Sequence, residues 1–478
     1  MRSPHSSPPH PEDRTPLLAG SALDDDVETS VKPDLREGEA TVMSCIANLA
    51  NTIIGTGSLA MAHAFAGEGL IPGVVMVVVC GGAAWLGLYF LTRSAAMAPH
   101  RAASFSSLSK LTFPGLARLF DFAVALKCFG VSISYLIVIG GLMPKVVRSF
   151  NPSLTDSIFL DRRLWILASM TLLCPLAFLR RLDSLKMTSY IALCSIAYLV
   201  FVVVFYTFVR YDELPPSGPI EMFKFGPRFL QSLPVQIFAF TCAQNIFAVF
   251  NELKSNTQAR LNLVIGTSIG SAAAIYEILG SLGYLAFGAA VGGNIIEMYP
   301  HTTLVSIGQL GIVVLVLFSY PLQLHPARAS LDKFLFPHPT PSDDDDTLVD
   351  DHAGGDDIPL GRFVLESSLI LFATFCIAMF VSSLETVLGF VGATGSTTIS
   401  FILPSIFFLA LFKDSPSPKD RRLRWAAVAL LSWGLIVMVL SLGMNIYHLF
   451  QQPTAVSSSL RTLGYLGGKS PSVVQIGA

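Results

Sequence analysis

Apolar residues are concentrated in long runs along most of the chain, and short polar segments separate these runs. A transmembrane helix needs about 20 mainly apolar residues to cross the hydrocarbon layer of a bilayer. Two runs, 164–179 and 396–412, are shorter, and they cross if their ends snorkel or the bilayer thins. The pattern predicts an all-α polytopic membrane protein with about 11 transmembrane helices. The runs cover residues 41–66, 70–92, 116–143, 164–179, 188–209, 229–250, 261–288, 302–324, 363–384, 396–412 and 425–450.

The composition supports a membrane protein and excludes several other classes. Of the 478 residues, 52% are hydrophobic and 13% are charged, whereas charged residues make up about 25% of a typical soluble domain. The net charge is −2, so no basic field attracts nucleic acid. The sequence contains no Ser-His-Asp set, zinc-ligand spacing or phosphate-binding glycine loop in a suitable context. We therefore predict a protein of the lipid bilayer that is not an enzyme and has no cofactor or bound metal.

Polar segments divide the chain into a central domain and two tails. Residues 1–39 contain six prolines and nine acidic residues and are predicted to form a disordered cytosolic tail. Residues 40–450 form the transmembrane domain, which includes an acidic cytosolic loop at 326–361. Residues 451–478 are predicted to be a non-cytosolic tail. With the N-terminus in the cytosol, 21 lysines and arginines face the cytosol and nine face the other side, as the positive-inside rule requires.

The first apolar run contains a glycine-rich polar stretch near its centre. Gly55-Thr56-Gly57-Ser58 is a poor helix interior, because each glycine costs about 1 kcal/mol relative to alanine there. Within lipid, backbone outside a helix is tolerated only where it lines protein or a water-filled cavity. The stretch is therefore predicted to interrupt the first helix. Close packing of two helices through small residues is the alternative interpretation.

The sixth apolar run, 229–250, has a similar interruption, because Thr241, Gln244 and Asn245 place polar side chains at its middle. Two interrupted helices, five helices apart, are typical of secondary transporters built from inverted repeats, with helices 1–5 and 6–10 as the two halves. The free helix ends offer a positive dipole end to a carboxylate and carbonyl oxygens to a cation or an ammonium group. The pattern predicts a secondary transporter of a small zwitterionic solute.

A set of motifs occurs in one order along the chain. They are NTIIGTGSLA at 51–60, FTCAQNIF and NEL at 240–253, GYLAFG at 283–288, SYPLQLHPAR at 319–328 and FVGATGS at 390–396. Together they resemble the amino acid/auxin permease family, most closely its fungal vacuolar amino acid transporters. The resemblance implies amino acid substrates and a LeuT-like 5+5 inverted repeat with broken helices 1 and 6.

The chain departs from the family pattern at two places near the expected substrate pocket. The family often has Pro-Tyr at the positions of Ala62 and His63, and often has histidine at the position of Ala243. These departures leave the predicted fold unchanged. They leave open which amino acid is transported and whether protons are coupled to it.

The substrate site is predicted at the two interruptions. Backbone groups of the first interruption are expected to meet the carboxylate, and carbonyls of the sixth helix are expected to meet the ammonium group. Polar side chains of the sixth helix are expected to shape the pocket. The predicted substrate-binding residues are Thr52, Gly55, Thr56, Gly57, Ser58, Phe240, Thr241, Ala243, Gln244 and Asn245.

Two interpretations of ion coupling follow from the resemblance. Asn51 and Ser319 match positions that help to hold sodium in sodium-coupled relatives, whereas the fungal vacuolar resemblance implies protons, which we favour. Charges within the membrane are costly unless paired or hydrated. Lys127 and Glu277 are therefore candidates for a buried pair or a proton relay, with a purely structural role as the alternative. His63 is a candidate proton carrier or a plain cavity-lining residue.

The N-terminal tail contains an acidic dileucine pattern, in which Asp13 precedes Leu17 and Leu18 by four residues. This pattern is similar to sorting signals that adaptor proteins bind through an apolar pocket and a basic rim. It predicts a vacuolar or lysosomal membrane, although acidic residues and leucines also meet by chance in tails. The function predicted overall is proton-coupled amino acid symport out of that compartment. The alternatives are sodium-coupled symport and an amino acid sensor with little flux.

Overall fold

The computed structural model describes residues 38–98, 101, 103–154, 157–179, 186–336 and 358–451. Helices make up almost all of these residues, and the β-type pairing found among them is a single parallel bridge between Ala40 and Leu253. The helices are α1 (Val42–Ile53), α2 (Gly57–Glu68), α3 (Leu70–Ala95), α4 (Phe105–Thr112), α5 (Ala117–Phe150), α6 (Arg162–Ala177), α7 (Lys186–Phe208), α8 (Pro227–Ala239), α9 (Ala243–Glu252), α10 (Gln258–Phe287), α11 (Thr303–Leu335), α12 (Leu360–Phe380), α13 (Leu384–Val391), α14 (Leu403–Leu411) and α15 (Pro418–Gln451).

Nine helical segments in the described residues are long and apolar enough to cross a membrane, counting α8–α9 and α13–α14 as one segment each. The number rises to 10 if α1 and α2, which are bent by 53° at their junction, form one span. The predicted fourth span corresponds to α6, which has 16 residues and is shorter than a straight crossing requires. The predicted all-helical membrane protein is confirmed, with nine to ten candidate spans where the sequence predicts 11.

Helices α5 and α11 form the centre of the bundle and pack against each other along most of their length. Helix α2 packs on α8 and α10, and α1 packs on α10, so the first and sixth predicted spans lie side by side. Large apolar side chains on α12 and α15, such as Phe380 and Val439, point away from the protein. These outer surfaces suit contact with lipid, because the bilayer core is as apolar as the side chains.

The tenth predicted helix differs from its sequence prediction. The predicted runs 363–384 and 396–412 leave residues 385–395 as a connection, but α13 already begins at Leu384 and continues into wide π-helical turns at Gly392–Ser396 and Thr398–Ile402. A β-carbon on Gly392 would lie 1.9 Å from the carbonyl oxygen of Pro234. The glycine therefore allows close packing on α8 rather than ending a helix.

The predicted polar segments lie largely outside the described residues. Helix α11 continues to Leu335, ten residues into the predicted loop 326–361, and α12 begins at Leu360. The aspartate-rich part of that loop, most of the tail 1–39, and all but the first residue of the tail 451–478 lie outside the described residues. The sorting residues Asp13, Leu17 and Leu18 are among them.

Candidate functional site

The first interruption separates α1 from α2 at the predicted glycine-rich stretch. Ile54 leaves the helical conformation, with φ −79° and ψ 81°, and α2 begins at Gly57. The hydroxyl of Ser58 donates to the carbonyl of Gly55 at 2.7 Å and so stabilises the turn. A β-carbon on Gly57 would lie 2.7 Å from the Cα of Ala239. Glycine is thus required where the two interruptions meet.

The second interruption occupies residues 240–242, between the end of α8 and the start of α9. The hydroxyl of Thr241 donates to the carbonyl of Ile237 at 2.9 Å, one turn earlier in α8. Across the site, Nδ2 of Asn245 donates to Oγ1 of Thr52 at 2.6 Å. This bond connects the first turn of α9 to the last turn of α1 and orders both interruptions relative to each other.

Tyr276 on α10 joins the ends of the two interrupted helices. Its hydroxyl lies 2.7 Å from the carbonyl oxygen of Ile53 and 2.9 Å from that of Ala239. These are the last residues of α1 and α8, whose carbonyls cannot form regular helical bonds. The tyrosine is fully buried, and it therefore stabilises both chain ends in the protein interior. No sequence motif indicated this residue.

A small cavity of about 20 Å³ lies between the interruptions and the central helix α5. This volume is enough for about one water molecule and is too small for an amino acid. Five of the predicted substrate-binding residues line it. The lining residues are Thr52, Ile53, Gly55, Thr56, Gly57, Lys127, Val131, Tyr135, Phe238, Thr241 and Gln323.

The remaining predicted substrate-binding residues lie around this cavity rather than in its wall. Ser58, Phe240 and Ala243 are buried in the packing between helices. Both polar atoms of the Gln244 side-chain amide are buried without a hydrogen-bond partner in the part of the chain that the structure describes. Gln244 is therefore positioned to form new hydrogen bonds if the site opens.

Lys127 places a cationic group at the cavity, and it is 3% exposed. Its Nζ donates to Oε1 of Gln323 at 3.4 Å, a long and weak bond. Tyr135 also lines the cavity, and its hydroxyl lies near the side chains of Ser319 and Gln323 on α11. Ser319 is thus close to the cavity, and α5 and α11 together form its polar wall. Lys127 and Ser319 were predicted from the sequence, whereas Tyr135 and Gln323 were not.

The predicted pairing of Lys127 with Glu277 does not occur in the structure. Gln323 is the partner that the described residues provide for Lys127, and Oε1 of Glu277 is buried without a hydrogen-bond partner. His63 is also outside the cavity wall. Its Nδ1 lies 3.1 Å from the carbonyl oxygen of Val291. Asn51 lies on α1 directly before the cavity residue Thr52.

The electrostatic character of the cavity follows from its lining. Among the described residues that line it, Lys127 is the charged one, and the others offer hydroxyl, amide or backbone groups. A buried ammonium attracts a carboxylate more strongly than it would in water, because the surroundings screen it poorly. The first amides of α2, at Gly57, add a positive helix end on the same wall. The arrangement suits the carboxylate group of a small solute.

The chain was compared with known families and proteins. The family model described as "Transmembrane amino acid transporter protein" matches residues 38–449. "Vacuolar amino acid transporter 5" of Schizosaccharomyces pombe is 42% identical over 425 residues, covering 87% of this chain and 97% of that protein. "Vacuolar amino acid transporter 6" of Saccharomyces cerevisiae is 35% identical over 443 residues, covering 84% and 97%.

A solved structure described as "Inward facing conformation of Mhp1" matches with a TM-score of 0.55 and 14% identity, covering 91% of this chain and 97% of that chain. At this identity the likeness concerns the fold alone, and it supports the predicted LeuT-like fold. The matching family consists of amino acid transporters, so the prediction of a transporter rather than an enzyme is confirmed. The site at the two interruptions, the helical fold and these matches agree: the chain belongs to the transmembrane amino acid transporter protein family.

Proposed function

We propose that this protein is a secondary active transporter that carries amino acids out of the vacuole or lysosome by proton-coupled symport. The observation that carries the proposal is the convergence of two helix interruptions on a small cavity that Lys127 also lines. The proposed architecture has 11 spans in a 5+5 inverted repeat, with α1–α2 as the first span and α8–α9 as the sixth. Residues 40–450 then form the transport domain.

The proposed substrate pose uses both interrupted helices. The substrate carboxylate lies near the start of α2 at Gly57 and is attracted by Lys127. The substrate ammonium approaches the carbonyls of Ile53 and Ala239, which Tyr276 occupies in this structure. Entry of an amino acid therefore requires the cavity to expand and the hydroxyl to share these carbonyls. The side chains of Gln244 and Asn245 then shape the pocket that receives the side chain of the substrate.

Protons are the proposed coupling ion because the two curated relatives are named as vacuolar transporters, and an acidic compartment supplies a proton gradient. The sodium-type positions Asn51 and Ser319 are present, but Ser319 lies near Tyr135 and near Gln323, the partner of Lys127. The proposal therefore favours a proton over sodium.

The proposed location is the vacuolar or lysosomal membrane, with the N-terminal tail in the cytosol. The names of the two relatives and the pattern Asp13, Leu17 and Leu18 support it, and adaptor proteins are the proposed partners of that tail. Replacing both Leu17 and Leu18 with alanine should move a tagged protein to another membrane. Unchanged vacuolar targeting of that double variant would show that this motif is not the address.

The transport proposal is tested with the purified chain in proteoliposomes. A panel of radiolabelled acidic, basic and neutral amino acids is offered under an imposed pH gradient, under a sodium gradient, and under neither. The proposal expects accumulation of at least one amino acid with the pH gradient alone. Accumulation that needs sodium and ignores pH would assign sodium coupling instead. Saturable binding of an amino acid without flux under any gradient would assign a sensor.

A further inference from the structure

Glu68, the last residue of α2, is a carboxyl group that is 0% exposed and has no role in the site described above. Its Oε2 accepts a hydrogen bond from Nε2 of Gln236 on α8 at 2.9 Å. Its Oε1 is buried and has no hydrogen-bond partner among the described residues. An ionised carboxylate with a single neutral amide donor would be poorly solvated in the protein interior. The environment fits a neutral carboxylic acid.

Gln236 provides a second observation that points to a proton. Its Oε1 is also buried without a donor in the described structure, so the Glu68–Gln236 contact leaves one oxygen unsatisfied on each side. Oε1 of Glu68 and Oε1 of Gln236 are both acceptors, so a proton bound to the carboxyl oxygen would allow a hydrogen bond between them. A proton on Oε1 of Glu68 can be donated to Oε1 of Gln236, which completes an acid–amide pair with two opposed hydrogen bonds.

The charged groups around α2 do not neutralise Glu68. Among the described residues, Gln236 is its hydrogen-bond partner and no lysine or arginine forms an ion pair with it. Two nearby ion pairs are already complete, namely Lys224 with Glu221 at 3.0 Å and Lys145 with Glu297 at 2.8 Å. The other titratable or charged groups on elements packed against α2 are Cys80, Tyr89 and Arg93 on α3, Arg228 on α8, Arg260, Tyr276, Glu277 and Tyr284 on α10, and Glu385 on α13.

Glu68 lies where the half-helices α2 and α8 pack against each other, so its protonation state affects this contact. Helix α2 begins at the cavity residue Gly57, and α8 ends at the second interruption, so their contact closes one side of the site. The helices approach so closely that a β-carbon on Gly67 would lie 1.9 Å from Oγ of Ser232. A negative charge on Glu68 would weaken this contact, whereas the neutral acid stabilises it.

We propose that Glu68 is the proton-binding residue of the transport cycle, which rests on the proposed proton-coupled function. When α2 and α8 separate, hydronium in the water on that side transfers a proton to Oε1, so an O–H bond of the hydronium breaks, an O–H bond forms at Oε1 and neutral water is left. The protonated acid then pairs with Gln236 as the half-helices close. After the protein opens to the other side, the O–H bond breaks and the proton passes to water that reaches Glu68 from the cavity along the α2–α8 contact. One proton moves in each cycle.

The test compares two kinds of transport by Glu68→Gln. A glutamine at this position forms the same two bonds to Gln236 as the neutral acid, so the variant should fold and resemble the protonated state permanently. We expect exchange of labelled for unlabelled amino acid, without a pH gradient, to remain within about twofold of the unaltered protein. Accumulation driven by a gradient of about one pH unit, about tenfold at most for one proton per solute at zero membrane potential, should disappear. Proton entry, followed with a pH-sensitive dye inside the vesicles, should disappear with it.

Two further variants make the test decisive. Glu366→Gln is the control, because Glu366 on α12 is also a buried carboxyl but lies near Asp332 and away from the contact between α2 and α8. This control should retain accumulation driven by the pH gradient. The double variant Glu68→Gln with Gln236→Glu moves the carboxyl across the same hydrogen bond and should restore accumulation.

The outcomes separate failure of this site from failure of the proposed function. Accumulation by Glu68→Gln under a pH gradient would overturn the assignment of Glu68. Loss of both exchange and accumulation in Glu68→Gln, without recovery in the double variant, would also overturn it, because the carboxyl would then have a structural role. Absence of any accumulation driven by a pH gradient in the unaltered protein would instead refute the proposed proton coupling.

Discussion

Tyr276→Phe tests whether one hydroxyl stabilises both interrupted helices. The hydroxyl lies 2.7 Å and 2.9 Å from the terminal carbonyls of Ile53 and Ala239, in a fully buried environment. Its removal leaves the carbonyl oxygen of Ala239 without this donor, whereas that of Ile53 keeps the N–H of Gly55 at 2.9 Å, and an unsatisfied buried acceptor costs about 1–3 kcal/mol. Because one donor serves both carbonyls, we expect a total loss of free energy of unfolding within about 1–3 kcal/mol.

The assay is thermal unfolding of the detergent-purified protein, with and without the amino acid identified by uptake. Tyr320→Phe is the matched control, because that hydroxyl is equally buried but its partner is Thr374, whose hydroxyl also donates to the carbonyl of Leu371. We expect Tyr276→Phe to lower the unfolding temperature more than the control. Substrate should stabilise Tyr276→Phe more than the unaltered protein, since its ammonium then no longer competes with the hydroxyl for the two carbonyls. Equal unfolding temperatures for both variants would refute the reasoning.

Three further predictions concern the site and its surroundings. Gly57→Leu should abolish uptake, because a side chain there enters α8, and normal uptake would place the substrate elsewhere. Lys127→Gln should weaken substrate binding by about tenfold or more, since a hydrogen bond to a charged group contributes about 1.5–3 kcal/mol, measured as KM for uptake. His301 has a pKa lowered by burial and by the nearby cations Lys145 and Arg148, so the folded state loses stability as pH falls below the ordinary value of 6.5. His301→Gln should reduce this acid sensitivity in thermal unfolding, and an unchanged pH profile would contradict it.

The interruptions were predictable because their cause is local. Gly55 and Gly57 are weak helix formers, and Thr241 brings a hydroxyl that bonds its own preceding turn. Tyr276 was not predictable in the same way, since a tyrosine in an apolar helix carries no signal of the carbonyls it contacts. Those carbonyls belong to helices more than 30 residues away in sequence, and only the packing of α10 on α1 and α8 brings them together.

In the tenth predicted helix, local helix propensity gives the wrong boundary. Gly392, Thr394 and Gly395 favour a connection by composition, yet the chain stays helical through them in wide turns. A β-carbon on Gly395 would lie 2.8 Å from Cβ of Lys127. The small residues therefore serve close approach to α5, and this requirement is invisible without the neighbouring helix. The same approach fixes the backbone of Lys127 at the cavity.

Depth in the membrane was also an insufficient guide to pairing. Lys127 and Glu277 both lie inside predicted membrane helices, which made a buried pair or a proton relay a candidate, but this position does not specify the direction in which each helix turns its side chains. In the structure Lys127 faces α11 and contacts Gln323, while Glu277 follows Tyr276 on α10. The side chain of Tyr276 points toward the two interruptions. Because adjacent residues of a helix point in different directions, the side chain of Glu277 points away from them.

Glu68 falls between two predicted apolar runs, where an acidic residue ordinarily lies in the membrane interface. Its burial results from a distant segment that folds over the end of α2. The backbone N–H of Lys224 donates to the carbonyl of Glu68 at 2.9 Å, and the N–H of Leu70 donates to the carbonyl of Glu221 at 3.1 Å. This covering segment leads directly into α8, which also carries Gln236. The same stretch of chain thus excludes water from the carboxyl and provides its hydrogen-bond partner, so any movement of α8 away from α2 would expose Glu68 to water and to protons.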